Sequence, residues 1–87
     1  MVKKTVTIKN VTGLTLKPAE HLSKVALRYK SHTGFEYKDG SANAKSILSI
    51  LASGVRQGEE ITLICSGKDE NEAMDALIQA IEEGLGE

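Results

Sequence analysis

Residues 33–54, TGFEYKDGSANAKSILSILASG, carry the clearest secondary-structure signals in the chain. The first five of these residues favour a strand, and the dipeptide Asp-Gly at 39–40 is typical of a tight hairpin turn, so residues 41–44 are predicted to run back as a short strand. A brief helix is then predicted over residues 46–53, and Gly54 suits the left-handed conformation that ends many helices. A hairpin followed by a helix predicts antiparallel strands in this part of the fold.

The flanking segments predict two further strands and two longer helices. Residues 2–8 are rich in Val, Thr and Ile and favour a strand, as do residues 59–65. Residues 16–29 have helical spacing, and a last helix is predicted to follow Asp69, a candidate N-cap with Glu72 three positions on. The apolar residues of each long helix fall on one face: Ala19, Leu22, Val25, Ala26 and Tyr29 in the first, and Met74, Leu77, Ile78 and Ile81 in the second.

The predicted order of elements, β-α-β-β-α-β-α, indicates the fold class. Helices that alternate with hairpin-connected strands favour an α/β (α+β) two-layer sandwich in which the helices cover one face of an antiparallel sheet. The chain has 87 residues, enough for one modest core, so residues 1–87 are expected to form a single domain. Only 3% of the residues are aromatic, so the core is expected to consist mainly of Ile, Leu, Val and Ala.

The charge and the apolar pattern argue against several classes of function. A formal net charge of −1 provides no field that would attract nucleic acid or an anionic membrane. No apolar run approaches the ~18 residues of a membrane span and no signal peptide is recognisable, so a cytoplasmic location is expected. The single cysteine, Cys65, excludes an intramolecular disulfide and a Cys-rich zinc site, and its apolar neighbours predict a buried thiol on a strand.

The segment GLTLKPAEHL, residues 13–22, predicts a loop that turns into a helix at Thr15. Threonine is a favoured N-cap, and Pro18 suits the first turn of a helix, where its missing N–H is not needed. A structural role as a cap therefore accounts for Thr15. The alternative is an anion site, because the free N–H groups and the dipole of a helix start attract phosphate, and Lys17 could add a positive charge.

Ser46, in NAKSILSILASG, is the second candidate and also stands at a predicted helix start. The simplest interpretation is again a cap. The apolar residues that follow cover more of this short helix than one core contact needs, which indicates a hydrophobic docking patch. They are Ile47, Leu48, Ile50 and Leu51. A phosphate on Ser46 would lie at a helix N-terminus, where its negative charge is tolerated or stabilising.

No constellation in the sequence indicates catalysis, a metal or a cofactor. His21 falls on a different side of the predicted helix from Thr15, and His32 stands alone at the start of a strand. Neither histidine has a cysteine, a histidine or a carboxylate at ligand spacing, and no residues follow the order of a catalytic triad. The chain also lacks a Gly-rich phosphate loop. We therefore expect a protein that is not an enzyme and that needs neither a metal nor a cofactor.

Three segments together resemble HPr, the small phosphocarrier family of the bacterial sugar phosphotransferase system (PTS). They are TGLTLKPAEHL (12–22), NAKSILSILASGVRQGEEITL (43–63) and GKDENEAMDALIQAIEEGLGE (67–87). The middle segment is the most specific, and the resemblance extends over essentially the whole chain. It implies an open-faced β-sandwich of four antiparallel strands and three helices, in agreement with the predicted order of elements.

The resemblance also implies that one of two family sites is changed. Family members carry phosphate on a histidine in the motif G-[IL]-H-A-R-P, whereas this chain has Thr15 at that position, with Leu16 for alanine and Lys17 for arginine. A threonine phosphoester is too stable for a relay, and lysine lacks the planar fork of arginine, so Thr15 and Lys17 are interpreted as a vestigial carrier site. The serine that matches Ser46 is phosphorylated in Gram-positive relatives by HPr kinase/phosphorylase.

Crh-like proteins, one branch of the family, keep the serine and lack the histidine, and this chain has the same combination. The resemblance therefore implies a phosphoprotein that acts with a LacI-type catabolite control regulator. The family's partner-binding face corresponds here to Lys17, Glu20, His21, Lys24, Ile47, Leu48 and Leu51. Glu20 and His21 are unusual on that face. Crh relatives can form dimers by exchanging the first strand, so a monomer or a strand-swapped dimer is expected.

Two alternative hypotheses remain open. The chain could be a diverged PTS component that still docks with enzyme I or sugar-permease domains, as a competitor of the true carrier. It could also be a repurposed scaffold that is never phosphorylated, in which Thr15 and Ser46 are helix caps only. The three hypotheses differ in what they require: a kinase in the same cell, binding to enzyme I, or neither.

Overall fold

The computed structural model describes residues 1–87 and contains four strands and three helices. The strands are β1 (Val2–Thr7), β2 (His32–Tyr37), β3 (Gly40–Asn43) and β4 (Glu60–Ser66). The helices are α1 (Leu16–Leu27), α2 (Ile47–Ser53) and α3 (Glu70–Glu82). The predicted order βαββαβα is therefore confirmed, and the predicted bounds lie within two residues of the observed ones. The predicted turn at Asp39-Gly40 is shifted by one residue to Lys38 and Asp39, because Gly40 already pairs with Tyr37 in the sheet.

The strands form one antiparallel sheet in the order β1-β4-β2-β3. The last strand in the chain, β4, therefore lies inside the sheet between β1 and β2. Alternate residues of β4 are buried, and Thr33 and Phe35 of β2 lie opposite Cys65 and Leu63, with the buried Gly34 between them. Because successive side chains of a strand point to opposite faces, this register gives the sheet one buried face. The three helices cover that face, as predicted.

The core between the sheet and the helices is mainly aliphatic, as the composition predicts. Nineteen buried apolar residues form one cluster, and Phe35 is its only aromatic member. The predicted apolar faces of α1 and α3 supply much of this cluster, although Tyr29 and Ile78 are only half-buried. Cys65 is fully buried on β4, and burial raises the pKa of its thiol. The predicted buried strand thiol is therefore confirmed.

Asp69 precedes α3, but its side chain does not cap that helix and forms no capping box with Glu72, so this prediction is wrong. Its carboxylate instead accepts hydrogen bonds from the backbone N–H groups of Lys30 and Ser31, each at 2.9 Å, and from the Ser31 hydroxyl. The bond from the Ser31 hydroxyl is the main cause that lowers the pKa of Asp69 to about 2. Asp69 thus joins the segment after α1 to the start of α3.

Replacing Asp69 with asparagine should lower the stability at neutral pH and flatten its acid dependence. The pKa of Asp69 lies below its ordinary value of 3.8, so the charged carboxylate stabilises the fold above pH about 4, and this contribution is lost as the pH falls toward about 2. Asparagine has nearly the same shape but does not titrate. Urea unfolding at a series of pH values should show a difference between the two proteins near neutrality that shrinks below pH about 4 and disappears only below pH about 2.

Asp75→Asn is the matched control, because Asp75 is an exposed aspartate of α3 and forms no such bonds. Its unfolding free energy should follow that of the wild type at every pH. A curve for Asp69→Asn that runs parallel to the wild-type curve over the whole range would contradict the role assigned to the Asp69 carboxylate.

Candidate functional site: two helix starts

The start of α1 is held against the loop that leads into β4. The N–H of Leu14 donates to the carbonyl of Val55 at 2.9 Å. Gly13 has a φ of 69°, and a Cβ at this position would lie 2.6 Å from the Val55 carbonyl oxygen. Glycine is therefore required here both for its conformation and for its size. This close contact brings Thr15 beside a segment that lies far along the chain.

Thr15 occupies the N-cap position of α1, but its side chain does not cap the helix. An N-cap side chain bonds to the second or third N–H of a helix, and the third residue here is Pro18, which has no N–H. The Thr15 hydroxyl instead donates to the hydroxyl oxygen of Thr12 at 3.0 Å, so the predicted capping role is wrong. The N–H groups of Leu16 and Lys17 consequently have no hydrogen-bond partner within the chain.

A shallow hollow of about 550 Å³ opens beside Thr15. Its lining combines the loop before α1 with the first residue of α1, the end of α2 and the loop after α2: Val11, Thr12, Leu14, Thr15, Leu16, Leu51, Gly54, Val55, Arg56 and Gln57. Arg56 is exposed at this hollow, whereas Lys17, the cation singled out from the sequence, does not line it. Free N–H groups and a guanidinium both favour an anion. Arg56 is thus a member of the candidate site that sequence reasoning missed.

The hydrogen bond of Thr15 continues through Thr12 to Glu87. The Thr12 hydroxyl donates to the Glu87 carboxylate at 2.6 Å, and the Thr12 N–H and the Asn10 side-chain amide donate to the same carboxylate at 3.4 and 3.1 Å. These bonds, chiefly the one from the Thr12 hydroxyl, lower the pKa of Glu87. Sequence reasoning missed Glu87 because no local pattern links it with the loop before α1.

Ser46 caps α2, as predicted. Its Oγ accepts a hydrogen bond from the N–H of Ser49 at 3.1 Å, and its backbone is extended, with φ −113° and ψ 115°. The carbonyl of Ser46 accepts the N–H of Ile50 at 3.0 Å. Gly54 ends the helix in the left-handed conformation, also as predicted. Ser46 is half-buried, so part of its side chain is open to solvent.

Leu48 is the most exposed residue of the predicted docking patch, with 78% of its surface accessible. Ile47 and Leu51 are half-buried against the core, and Ile50 is fully buried. The prediction that Ile47 and Leu48 are partly exposed is therefore confirmed. Leu16 at the start of α1 is also 54% exposed, and it lines the same hollow as Leu51. The two helices thus contribute apolar surface to the region around Thr15.

The α1 residues of the predicted partner-binding face lie together at a second shallow hollow of about 220 Å³. Its lining consists of Lys17, Glu20, His21, Lys24 and Gly86. Glu20 is half-buried and the other three α1 residues are exposed. Gly86 passes so close to α1 that a Cβ on it would lie 3.3 Å from Nδ1 of His21. Of the α2 residues of the predicted face, Leu51 lines the separate hollow beside Thr15, and Ile47 and Leu48 line neither hollow.

The remaining chemical groups of the molecule are dispersed. His21 and His32 are exposed on α1 and β2. No group of three or more His, Cys, Asp or Glu side chains is arranged to hold a metal ion. None of the three helices is long and apolar enough to cross a membrane. The candidate chemistry therefore rests on the hydroxyl, amide and charged groups at the two helix starts.

The helix-covered antiparallel sheet and the two helix starts define a small HPr-like protein. A family model described as "PTS HPr component phosphorylation site" matches residues 2–83. The chain therefore belongs to the HPr family of the sugar phosphotransferase system, and the resemblance inferred from the sequence is confirmed.

Individual relatives are similar over nearly their whole length. The HPr-like protein Crh of Halalkalibacterium halodurans is 43% identical over 82 residues, which cover 94% of this chain and 98% of that protein. The crystal structure of HPr-C-His from Thermoanaerobacter tengcongensis matches with a TM-score of 0.95 at 40% identity, and the match covers 100% of this chain and 98% of the HPr-C-His chain. A crystal structure of Crh from Bacillus subtilis, described as a dimer with a swapped domain, matches with a TM-score of 0.77 at 36% identity and covers 97% of each chain.

Proposed function

We propose that this chain is an HPr-like regulatory phosphoprotein of carbon catabolite regulation, phosphorylated on Ser46 and unable to carry phosphate on residue 15. The observation that carries the proposal is Thr15, which stands where the family's carrier motif has histidine, while the serine cap of α2 is retained. The similar Crh of Bacillus subtilis is described as a catabolite repression protein, which supports the same assignment.

Residue 15 is poorly suited to a phosphoryl relay. A phosphoryl group on an imidazole nitrogen is labile enough to be passed on, whereas a phosphate ester of Thr15 would be far more stable. The Thr15 hydroxyl also bonds to no base directly, because it donates to the hydroxyl of Thr12, which in turn donates to the Glu87 carboxylate. Lys17 supplies a point charge without the bidentate fork of arginine. His21 lines a different hollow, so it does not replace the missing imidazole.

Ser46 combines a modifiable hydroxyl with an apolar contact surface. Its Oγ already faces the N–H of Ser49, so an oxygen of an attached phosphate could accept the same bond. Leu48, two residues further on, offers a partner a mostly exposed apolar side chain. We infer that HPr kinase/phosphorylase binds this surface, and that a LacI-type catabolite regulator binds the phosphorylated form. The contacts would extend to the remaining residues of the face: Lys17, Glu20, His21, Lys24, Ile47 and Leu51.

Two phosphorylation reactions run in parallel test this function. One contains ATP and HPr kinase/phosphorylase, the other contains phosphoenolpyruvate and enzyme I, and mass spectrometry locates the modified residue in each. We expect one phosphate on Ser46 in the first reaction and none in the second. Transfer from phosphoenolpyruvate would contradict the non-carrier assignment. No label in either reaction, with both enzymes active on an HPr that has the family serine and histidine, would indicate an unphosphorylated scaffold.

Replacing Leu48 with aspartate should weaken binding of the kinase with little change in stability. Leu48 is 78% exposed, so the substitution removes contact surface and adds a charge without opening the core. The free energy of unfolding should change by no more than about 0.5 kcal/mol, as for other surface substitutions. Calorimetric titration with the kinase measures the first effect, and urea unfolding measures the second.

Leu27→Asp is the matched control for Leu48→Asp, because Leu27 is 62% exposed on α1 and lies outside the predicted partner-binding face. It should leave the affinity for the kinase unchanged. A loss of about 2–5 kcal/mol of stability in Leu48→Asp, the range of a disrupted core, would show that Leu48 supports the fold rather than a partner. Equal weakening of kinase binding by both substitutions would show that the contact is not localised at α2.

A second candidate function is docking with enzyme I or a sugar-permease domain without phosphate transfer. The exposed side chain of Leu16 beside Leu51 favours it, because apolar surface is retained next to the position of the family's carrier histidine. Calorimetric titration of the unmodified chain with enzyme I tests this function. Binding without labelling would support a competitor of the true carrier, and no binding would exclude docking with enzyme I.

A further inference from the structure

Residues 84–87, which follow α3, fold back across the molecule as a strap. Gly84, Leu85 and Gly86 all have positive φ angles, of 89°, 53° and 84°. A positive φ is unfavourable for Leu85, which has a Cβ, but its side chain is buried in the core and its N–H donates to the carbonyl of Ala80 at 3.0 Å. The anchored Leu85 therefore sets the path of the strap and carries Glu87 to the loop before α1.

The strap holds the turn between β1 and α1, residues 10–13. The Glu87 carboxylate accepts hydrogen bonds from the side-chain amide of Asn10 and from both the N–H and the hydroxyl of Thr12. The same Asn10 amide closes the turn by donating to the carbonyl of Gly13 at 2.7 Å, and Asn10 is only 5% exposed. Glu87 thus bonds to the residue that closes the turn and to the residue at its tip.

The turn connects α1 to β1, the first strand of the chain and one of the two edge strands of the sheet. β1 lies at the edge of the sheet and pairs only with β4. If the turn straightens, β1 can pair with β4 of a second copy through the same hydrogen bonds, which is the low-cost route to a swapped dimer. The ion pair between Lys9 and Glu82 lies beside the turn and links it to α3 as well.

We propose that the strap is a latch that keeps β1 in its own sheet and so sets the balance between a monomer and a β1-exchanged dimer of this chain. In the bent turn Glu87 satisfies three donors, whereas straightening moves those donors away from the anchored strap and breaks the bonds. The latch also affects the hollow beside Thr15, because Val11 and Thr12 belong to the turn and line that hollow. This inference concerns assembly and does not depend on phosphorylation of Ser46.

Glu87→Ala removes the latch and leaves the buried Leu85 in place. After unfolding and refolding at increasing chain concentration, size-exclusion chromatography with light scattering should show several-fold more dimer than for the wild type. Glu87→Gln keeps a side-chain acceptor and should give an intermediate dimer fraction. Glu72→Ala removes an exposed glutamate of α3 that has no bond to the turn, and it should match the wild type. Equal dimer fractions in Glu87→Ala and Glu72→Ala would overturn the proposal.

A disulfide introduced between β1 and β4 would show whether β1 is the strand that has been exchanged. Val2 lies opposite Cys65 in the register of the two strands. In a Val2→Cys background, oxidation should join positions 2 and 65 within one chain of the monomer and between the two chains of an exchanged dimer. Non-reducing electrophoresis of the dimer fraction should therefore show covalent dimers, more abundant when Glu87→Ala is added. Dimers that separate into internally bridged chains would show that β1 had not exchanged and would also overturn the proposal. If no disulfide forms in either the monomer or the dimer, the amounts of dimer formed by Glu87→Ala and Glu72→Ala decide whether the proposal holds.

Discussion

Replacing Ser46 with asparagine should abolish phosphorylation by ATP and HPr kinase/phosphorylase while the fold stays intact. Asparagine is as good an N-cap as serine, so the hydrogen bond from the Ser49 N–H can be kept while the hydroxyl that would receive the phosphate is lost. The free energy of unfolding should therefore stay within about 0.5 kcal/mol of the wild-type value. Mass spectrometry should find only unmodified chain under conditions that fully label the wild type.

Ser46→Ala separates the loss of the hydroxyl from the loss of the cap. This variant should also remain unlabelled, but it should lose about 1 kcal/mol of stability because the capping bond is broken. The affinity of the kinase for Ser46→Asn should stay close to that for the wild type, since the apolar residues of α2 are unchanged. Label that persists in both variants, on Ser49 or Ser53 for example, would refute Ser46 as the phosphorylation site.

Combining Thr15→His with Lys17→Arg should turn a chain that takes no phosphate from phosphoenolpyruvate and enzyme I into a weak acceptor. The new imidazole would supply the nucleophile, and the N–H groups at the first two positions of α1 have no partner within the chain and can bind the phosphate. The guanidinium would add a bidentate contact that lysine cannot make. We expect no label in the wild type, weak label in Thr15→His and stronger label in the double variant.

The matched control for this gain of function is Thr15→Gln combined with Lys17→Arg, which has a side chain of similar length but no imidazole. It should remain unlabelled, and the label on the histidine variants should be lost in acid, as expected for a phosphorus–nitrogen bond. Binding of enzyme I has to be measured alongside transfer, because docking precedes it. A double variant that binds enzyme I normally and stays unlabelled would show that the start of α1 is not a preserved phosphate site.

The order of elements could be predicted because each of its signals is local. The Asp-Gly dipeptide at 39–40 predicted a hairpin at the right place, although the turn residues are Lys38 and Asp39 and Gly40 pairs with Tyr37 without a positive φ. Gly54 ends α2 because glycine adopts the left-handed conformation at little cost. The alternation of residue types in β4 reflects a single buried face. Ser46 belongs to the same category, since its capping partner, Ser49, is three residues away.

The two other predicted caps failed for one physical reason. Thr15 and Asp69 both stand immediately before a helix, but each side chain has a competing partner outside that helix. The Thr15 hydroxyl donates its hydrogen bond to Thr12, and the Asp69 carboxylate accepts hydrogen bonds from the N–H groups of Lys30 and Ser31. Residue type and position in the sequence favour a cap, but the hydrogen bond forms with the donor or acceptor that the fold brings closest.

Local patterns therefore account for the class of fold, for the buried faces of the helices and for Ser46 as a helix cap. The order of strands in the sheet, the approach of Arg56 to Thr15 and the bonds between Glu87 and Thr12 appear only in the folded chain. Backbone preferences and hydrophobic periodicity act over a few neighbouring residues, so a sequence records them directly. Contacts between distant residues depend instead on how the whole sheet and its helices pack, because a hydrogen bond responds to separation in space and not to separation along the chain.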